Sequence, residues 1–96
     1  MAAYTIDVRP RARRSLRQLD PSARKAIAQV IDGLAADPRP PGSLSLTGHR
    51  PYLRVRSGDY RVIYTVDDSA RVVTIAAVGH RREIYRRLGL KQAGSY

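Results

Sequence analysis

Between Tyr52 and Arg87 the chain reads YLRVRSGDYRVIYTVDDSARVVTIAAVGHRREIYRR, and this stretch constrains the fold more than any other. From Tyr52 to Ser57 residues alternate: Leu53 and Val55 share one face of a strand, and Tyr52, Arg54 and Arg56 share the other. Ser57-Gly58-Asp59 supplies the glycine that a tight hairpin requires. The alternation resumes from Tyr60 to Asp67, with Tyr60, Val62, Tyr64 and Val66 opposed to Arg61, Ile63 and Thr65. After a second turn from Asp67 to Arg71, Val72 to Val78 is apolar on both faces, as befits a strand inside a sheet. At Gly79 the character changes to HRREIYRR, read as a short helix from about Arg82 to Leu88. The result is a sheet with one apolar face and one face of arginines.

The residues before Tyr52 supply what covers the apolar face. Tyr4, Ile6 and Val8 alternate as a short strand. Pro10 ends it and suits the first turn of a helix. Ala12, Leu16 and Leu19 then form an apolar stripe from which Arg13, Arg14 and Arg17 point away. Asp20-Pro21 is a start signal for a second helix, running to about Ala36 with Ala23, Ile27, Val30, Ile31 and Leu34 as its stripe. Asp37 to Ser43 is a breaker loop, and Leu44 and Leu46 allow a brief edge strand between Ser43 and His49. The expected fold is therefore α+β: an N-terminal strand, a two-helix hairpin packed on a mainly antiparallel sheet of four or five strands, and a short C-terminal helix. A single domain spanning 1–96 is expected, with a mobile tail at 89–96.

Charge points to the partner. Lys and Arg total 18 against 8 Asp and Glu, a net +10, and only Lys25 and Lys91 are lysine. Such a balance implies a polyanion, an acidic protein, or both. Arginine favours bidentate contact with phosphate and stacking on bases. The absence of cysteine excludes a disulfide framework and a thiolate metal site. The longest apolar run falls far short of the ~20 residues of a membrane span. Ala2 to Ile6 is too short for a signal peptide, so the cytoplasm is the expected compartment.

Two groups of residues carry candidate chemistry. Arg54, Arg56 and Arg61, which flank the hairpin, group with Arg81 and Arg82, and like charges facing each other destabilise a sheet unless an anion lies between them. The alternative is a solvated basic face, or pairing with Asp59, Asp67 and Asp68. In GHRREIYRR, Arg81 follows directly from a strand and Tyr85 comes one helical turn later, so a phosphate clamp and a stacking ring can share a side. The alternative for Tyr85 is packing of the terminal helix onto the sheet. His80 offers an imidazole for proton transfer or a capping role, and His49 reads as a loop residue. Arg82, Arg86, Arg87, Arg13 and Arg17 are candidate contacts for nucleic-acid phosphate or a protein partner. Asp67-Asp68 is turn chemistry, and neither metal-ligand spacing nor a cofactor motif is present. A nuclease of this composition is expected to use the RNA's own 2′-hydroxyl, without a metal or cofactor.

The runs YLRVRSGDYRVIY and AVGHRREIYRR, with the opening strand and basic helical hairpin, resemble the RelE branch of the RelE/ParE toxin superfamily, the toxic halves of type II toxin–antitoxin modules. The resemblance implies a ribosome-dependent endoribonuclease that cuts mRNA in the A site to a 2′,3′-cyclic phosphate and a 5′-hydroxyl. It implies an acidic RelB-like antitoxin as partner, the ribosome and mRNA as targets, and operator DNA bound only by the toxin–antitoxin complex. By position it implies that Arg61 stabilises the transition state, that Arg81 acts as general acid or leaving-group stabiliser, and that Tyr85 orients the substrate. Arg54 stands where the best-known members carry the lysine proposed as base, and Tyr52 where they carry a second lysine. The base is thereby left open between Arg54, acting by stabilising the 2′-oxyanion, and His80. Two other readings share the fold: a ParE-like DNA gyrase inhibitor without catalysis, and a catalytically weak RNA-binding relative.

Overall fold

The computed structural model describes residues 3–46 and 48–87. Among them lie strands β1 (Thr5–Val8), β2 (Leu44–Ser45), β3 (Leu53–Ser57), β4 (Tyr60–Asp67) and β5 (Val72–His80), with helices α1 (Pro10–Arg17), α2 (Pro21–Gly33) and α3 (Ile84–Arg87). The strands form one sheet in the order β1-β5-β4-β3-β2. β1 joins β5 in parallel, and the other pairings are antiparallel. β5 thus has neighbours on both edges, the inner position expected of it, and each of its apolar faces meets a core. The α+β architecture matches expectation.

Local chemistry sets the helical hairpin. Pro10 and Pro21 open the two helices, and the Asp20 carboxylate accepts the Ala23 N–H at 3.2 Å as N-cap. Arg24 ties α2 back to α1 by donating from Nε to Leu16 O and from Nη2 to Leu19 O, at 3.1 and 2.7 Å. Leu16 lies in the last turn of α1, where carbonyls lack donors four residues on within the helix, and Leu19 lies just beyond its C-cap. α2 stops at Gly33 rather than near Ala36, because the next three N–H groups bond three residues back instead of four. The chain then leaves to meet β1, with Tyr4 N–H donating to Ala35 O at 2.8 Å.

The hairpin buries Ala12, Ile27, Ile31 and Leu34 against Val55, Val62, Tyr64, Val73, Ile75 and Val78 on one face of the sheet. Tyr64 is fully buried there, and its hydroxyl donates to Pro38 O at 2.8 Å, holding the breaker loop. Arg39 grips Asp68 through both Nη atoms, and Tyr4 Oη donates to the same carboxylate at 2.6 Å. That carboxylate is held below its ordinary value by the Arg39 and Tyr4 hydrogen bonds.

The opposite face departs from expectation. It is not a bare field of arginines but carries a second, smaller core of Leu46, Ile63, Ala77, Ile84 and Tyr85, with Tyr52 packed against it. α3 folds back to supply two of those side chains, so the terminal helix covers part of the arginine face. α3 also begins at Ile84, two residues later than expected, because residues 81–83 form a turn. Residue 88 and the tail 89–96 lie outside the described residues.

One irregularity in β5 governs what each face presents. Tyr64 pairs with Ile75 and Ile63 with Ala77, so Ala76 is an extra residue, a β-bulge. Side chains alternate along a strand, and an extra residue reverses the alternation beyond it. Val73 and Ile75 face the helices before the bulge, and Val78 and His80 face them after it.

Candidate functional site

The hairpin of β3 and β4 places Arg56 directly opposite Arg61, and Arg54 opposite Ile63, all on the α3 side of the sheet. Gly58 takes φ 59° in the connecting turn, a conformation that favours glycine. Arg56 is exposed, whereas Arg54 and Arg61 are only 7% and 4% accessible. Arginines this deeply buried are rare unless paired. The Arg61 Nη1 donates to Gly58 O at 3.1 Å and Tyr60 O at 3.0 Å, fixing the guanidinium beneath the turn. Its Nε is buried with no hydrogen-bond partner among the described residues. Burial, followed by the positive charge of Arg54, holds Arg61 below the ordinary guanidinium value; Arg56 and Arg81 add to this, and Tyr85 acts in the opposite sense.

Arg81 belongs to the same group by position. Its backbone N–H donates to Asp59 O at 2.8 Å, and its Nε lies 3.7 Å from the Asp59 carboxylate. The turn that holds Arg61 by its carbonyls therefore also holds Arg81 at the end of β5. Asp59, read in the sequence as part of the turn and as an alternative ion-pair partner for the arginines, is what seats Arg81. The signal was present in its place beside Gly58, at the tip facing the end of β5.

Of the three aspartates weighed as partners for the arginine group, one pairs with a member of it and two are engaged elsewhere. Asp59 meets Arg81, Asp67 accepts the Ala70 N–H at 2.9 Å in its own turn, and Asp68 is held by Arg39 and Tyr4.

Tyr85 is 4% accessible, its ring packed with Ile63, Ala77 and Ile84. In this conformation it forms the wall beside Arg61 rather than an open stacking platform.

His80 is not brought to the arginines. It pairs with Tyr60 across the sheet, and the two rings meet edge-on with centroids 5.8 Å apart. Tyr60 faces the helices, so the bulge at Ala76 has carried His80 to the face opposite Arg54 and Arg61. Its Nδ1 accepts the Arg82 N–H at 3.2 Å, bracing the turn that carries Arg81.

Arg13 and Arg17 are exposed on α1, on the helical side of the sheet, and Arg82 and Arg86 are exposed beyond β5. The side chain of Arg87 lies outside the described residues. The structure thus brings together Arg54, Arg56, Arg61, Arg81 and Tyr85, and separates His80, Arg13 and Arg17 from them.

Comparison with known proteins places this arrangement. Residues 6–85 match the sequence model of a family described as the ParE toxin of type II toxin–antitoxin system, parDE. Toxin RelG of Mycobacterium tuberculosis is 34% identical over 85 residues, covering 88% of this chain and 98% of the relative. The toxin–antitoxin complex RelBE2 of Mycobacterium tuberculosis contains a chain 30% identical, with a TM-score of 0.71, covering 84% of this chain and 94% of that one. The RelE–RelB complex of Pyrococcus horikoshii gives a TM-score of 0.73 at 26% identity, covering 82% and 96%. The match through both hairpin and helices, in sequence and in structure, makes this chain a RelE-like toxin of the RelE/ParE family of type II toxin–antitoxin systems.

Proposed function

We propose that this toxin is an endoribonuclease that cuts mRNA in the ribosomal A site through the RNA's own 2′-hydroxyl. The observation that carries the reading is Arg61, buried among other arginines with its Nε directed to no protein acceptor among the described residues. A buried cation surrounded by like charge costs folding stability, and a phosphate seated there supplies the missing negative charge. In the cut, the 2′-oxygen gives its proton to water and bonds to the adjacent phosphorus, the P–O5′ bond breaks, and the 5′-oxygen takes up a proton from water. Arg54 stabilises the 2′-oxyanion as it forms, and Arg61 the non-bridging oxygens of the phosphorane. Arg81, tethered at Asp59, meets the leaving 5′-oxygen. His80 has no part in proton transfer, because it lies across the sheet. An acidic RelB-like antitoxin neutralises the basic surface, as the complexes formed by structural neighbours support. Operator DNA is bound by that complex, and the protein works in the cytoplasm.

Primer extension on an mRNA, with and without programmed ribosomes, tests the reading. Cuts inside the A-site codon are expected only with ribosomes, and Arg81→Ala is expected to slow them about 10²-fold, the scale for losing a preorganised charge donor. The absence of cuts under either condition would favour the second reading, a ParE-like gyrase inhibitor, to which the description of the matched family points. Inhibition of gyrase supercoiling would then be the assay, with the arginines serving as a binding surface.

His80 gives a separate expected outcome in the same assay. His80→Asn, whose side-chain oxygen can replace Nδ1 as acceptor, is expected to cut like the wild type. His80→Ala is expected to lose far less than the about 10²–10⁴-fold that removal of a general acid or base costs. A loss of that size in both variants would return His80 to the chemistry.

A further inference from the structure

Beyond the arginine cluster, a groove of about 310 Å³ opens between the start of α1 and the start of β3, lined by Arg9, Pro10, Arg11, Tyr52 and Ala76. Tyr52 precedes Arg54 and Arg56 on the same face of β3, and it packs against the core that includes Ile63 and Tyr85. The groove therefore continues the face that carries Arg61. Along a strand, Tyr52 lies about 7 Å from Arg54 and about 13 Å from Arg56 between Cα atoms. That separation suits a nucleotide beside the reacting phosphate rather than the reacting one itself.

Each wall of the groove is held by the fold. The Tyr52 N–H donates to His49 O and its carbonyl accepts from Leu46 N–H, both at 3.0 Å, while the ring stays half-exposed. The Arg9 N–H donates to Ile75 O at 3.0 Å, immediately before the bulge, and Pro10 restricts the backbone that follows. Ala76 is the bulged residue, and its methyl group leaves the floor open. The Arg9 guanidinium lies 3.6 Å from the Asp7 carboxylate, an exposed contact that a phosphate can replace. Arg11 is exposed beside it.

A half-buried aromatic ring with two arginines at its edge is the chemistry of single-stranded RNA contact: the ring takes a base, and the guanidinium groups take phosphate. We infer that this groove is a second nucleotide subsite, in which Tyr52 stacks on an RNA base neighbouring the cut while Arg9 and Arg11 hold its phosphate. The inference rests on the endoribonuclease reading for its place along the substrate, but not for binding itself.

The test uses a fluorescently labelled, short single-stranded RNA methylated at every 2′-oxygen. Such an RNA cannot be cut, so binding is read independently of catalysis. Anisotropy at physiological salt of about 0.15 M compares the wild type with Tyr52→Phe, Tyr52→Leu and Tyr52→Ala. Tyr52→Phe is expected to bind like the wild type. Tyr52→Leu keeps apolar packing without a stacking ring, and both it and Tyr52→Ala are expected to bind about 5–150-fold more weakly. One abasic position in the RNA is expected to weaken the wild type by a similar factor and Tyr52→Leu no further. Arg9→Ala and Arg11→Ala are each expected to lower the salt slope by about 0.7.

Unchanged binding by Tyr52→Leu would overturn the subsite. Loss of binding through the arginines alone, indifferent to the abasic residue, would overturn it equally and mark a surface for an acidic protein. Normal ribosomal cutting by a wild type whose Tyr52→Leu variant binds unchanged would remove the subsite and leave the nuclease. Stacking as expected without ribosomal cuts would remove the nuclease and leave the subsite.

Discussion

Arg61→Met is expected to abolish cutting by about 10²–10³-fold while making the protein harder to unfold. Methionine keeps much of the arginine's length and apolar packing and removes a buried charge set against Arg54, Arg56 and Arg81. Replacing buried charge with apolar side chains of similar size is often stabilising. Against that stands the loss of two hydrogen bonds to Gly58 O and Tyr60 O, carbonyls of a surface turn that water can satisfy. The net gain is expected to be about 1 kcal/mol, which for a domain of this size raises Tm by about 4–8 °C. Sulfate or phosphate should stabilise the wild type more than Arg61→Met, since an anion in the site binds only the folded protein. Thermal unfolding of both proteins in chloride and sulfate, beside primer extension, checks all three outcomes. A variant that melts earlier than the wild type and still cuts would show that Arg61 is structural.

Tyr85→Ala is expected to destabilise by up to about 3–5 kcal/mol, the scale for truncating a buried aromatic ring. Tyr85→Phe should stay within about 1 kcal/mol, because the ring, packed with Ile63, Ala77 and Ile84, contributes most of the contact. Among the described residues α3 spans Ile84–Arg87, and a turn of that length depends on such contacts to persist as a helix. The damage is therefore expected first as faster amide exchange in α3 and in the turn that carries Arg81, with lowered Tm following. Hydrogen exchange and thermal melts on the two variants separate these effects. Cutting retained by Tyr85→Phe and lost by Tyr85→Ala would assign the ring to forming the wall of the site. Loss in both would place the hydroxyl in the chemistry.

Much of this molecule was legible in the residue order because its forces are local. Alternation along Tyr52–Ser57 and Tyr60–Asp67 decided which residues share a face, and Gly58 decided where the hairpin turns. Asp20-Pro21 marked the start of α2, and charge marked an anionic partner. The placing of Arg54, Arg56 and Arg61 together followed from that periodicity alone. Less legible was their accessibility. Arg54 and Arg61 stand at positions that alternation leaves on a solvent face, yet both are buried. Their burial depends on α3 returning over the sheet and on Leu46 arriving from beyond β2, contacts between segments far apart in sequence.

The sequence by itself determined the strands, the helical hairpin, the basic surface and the family, since each rests on periodicity, turn residues, charge or a continuous run of residues. Only the tertiary structure decided which chemistry meets which. Without the extra residue at Ala76, simple alternation from Ile75 would set His80 on the arginine face. The bulge reverses that alternation and sends the imidazole to Tyr60. Nothing near His80 announces it, because a bulge is fixed by how β5 must pair with β4 while both faces of the sheet are packed, and that requirement belongs to the assembled fold.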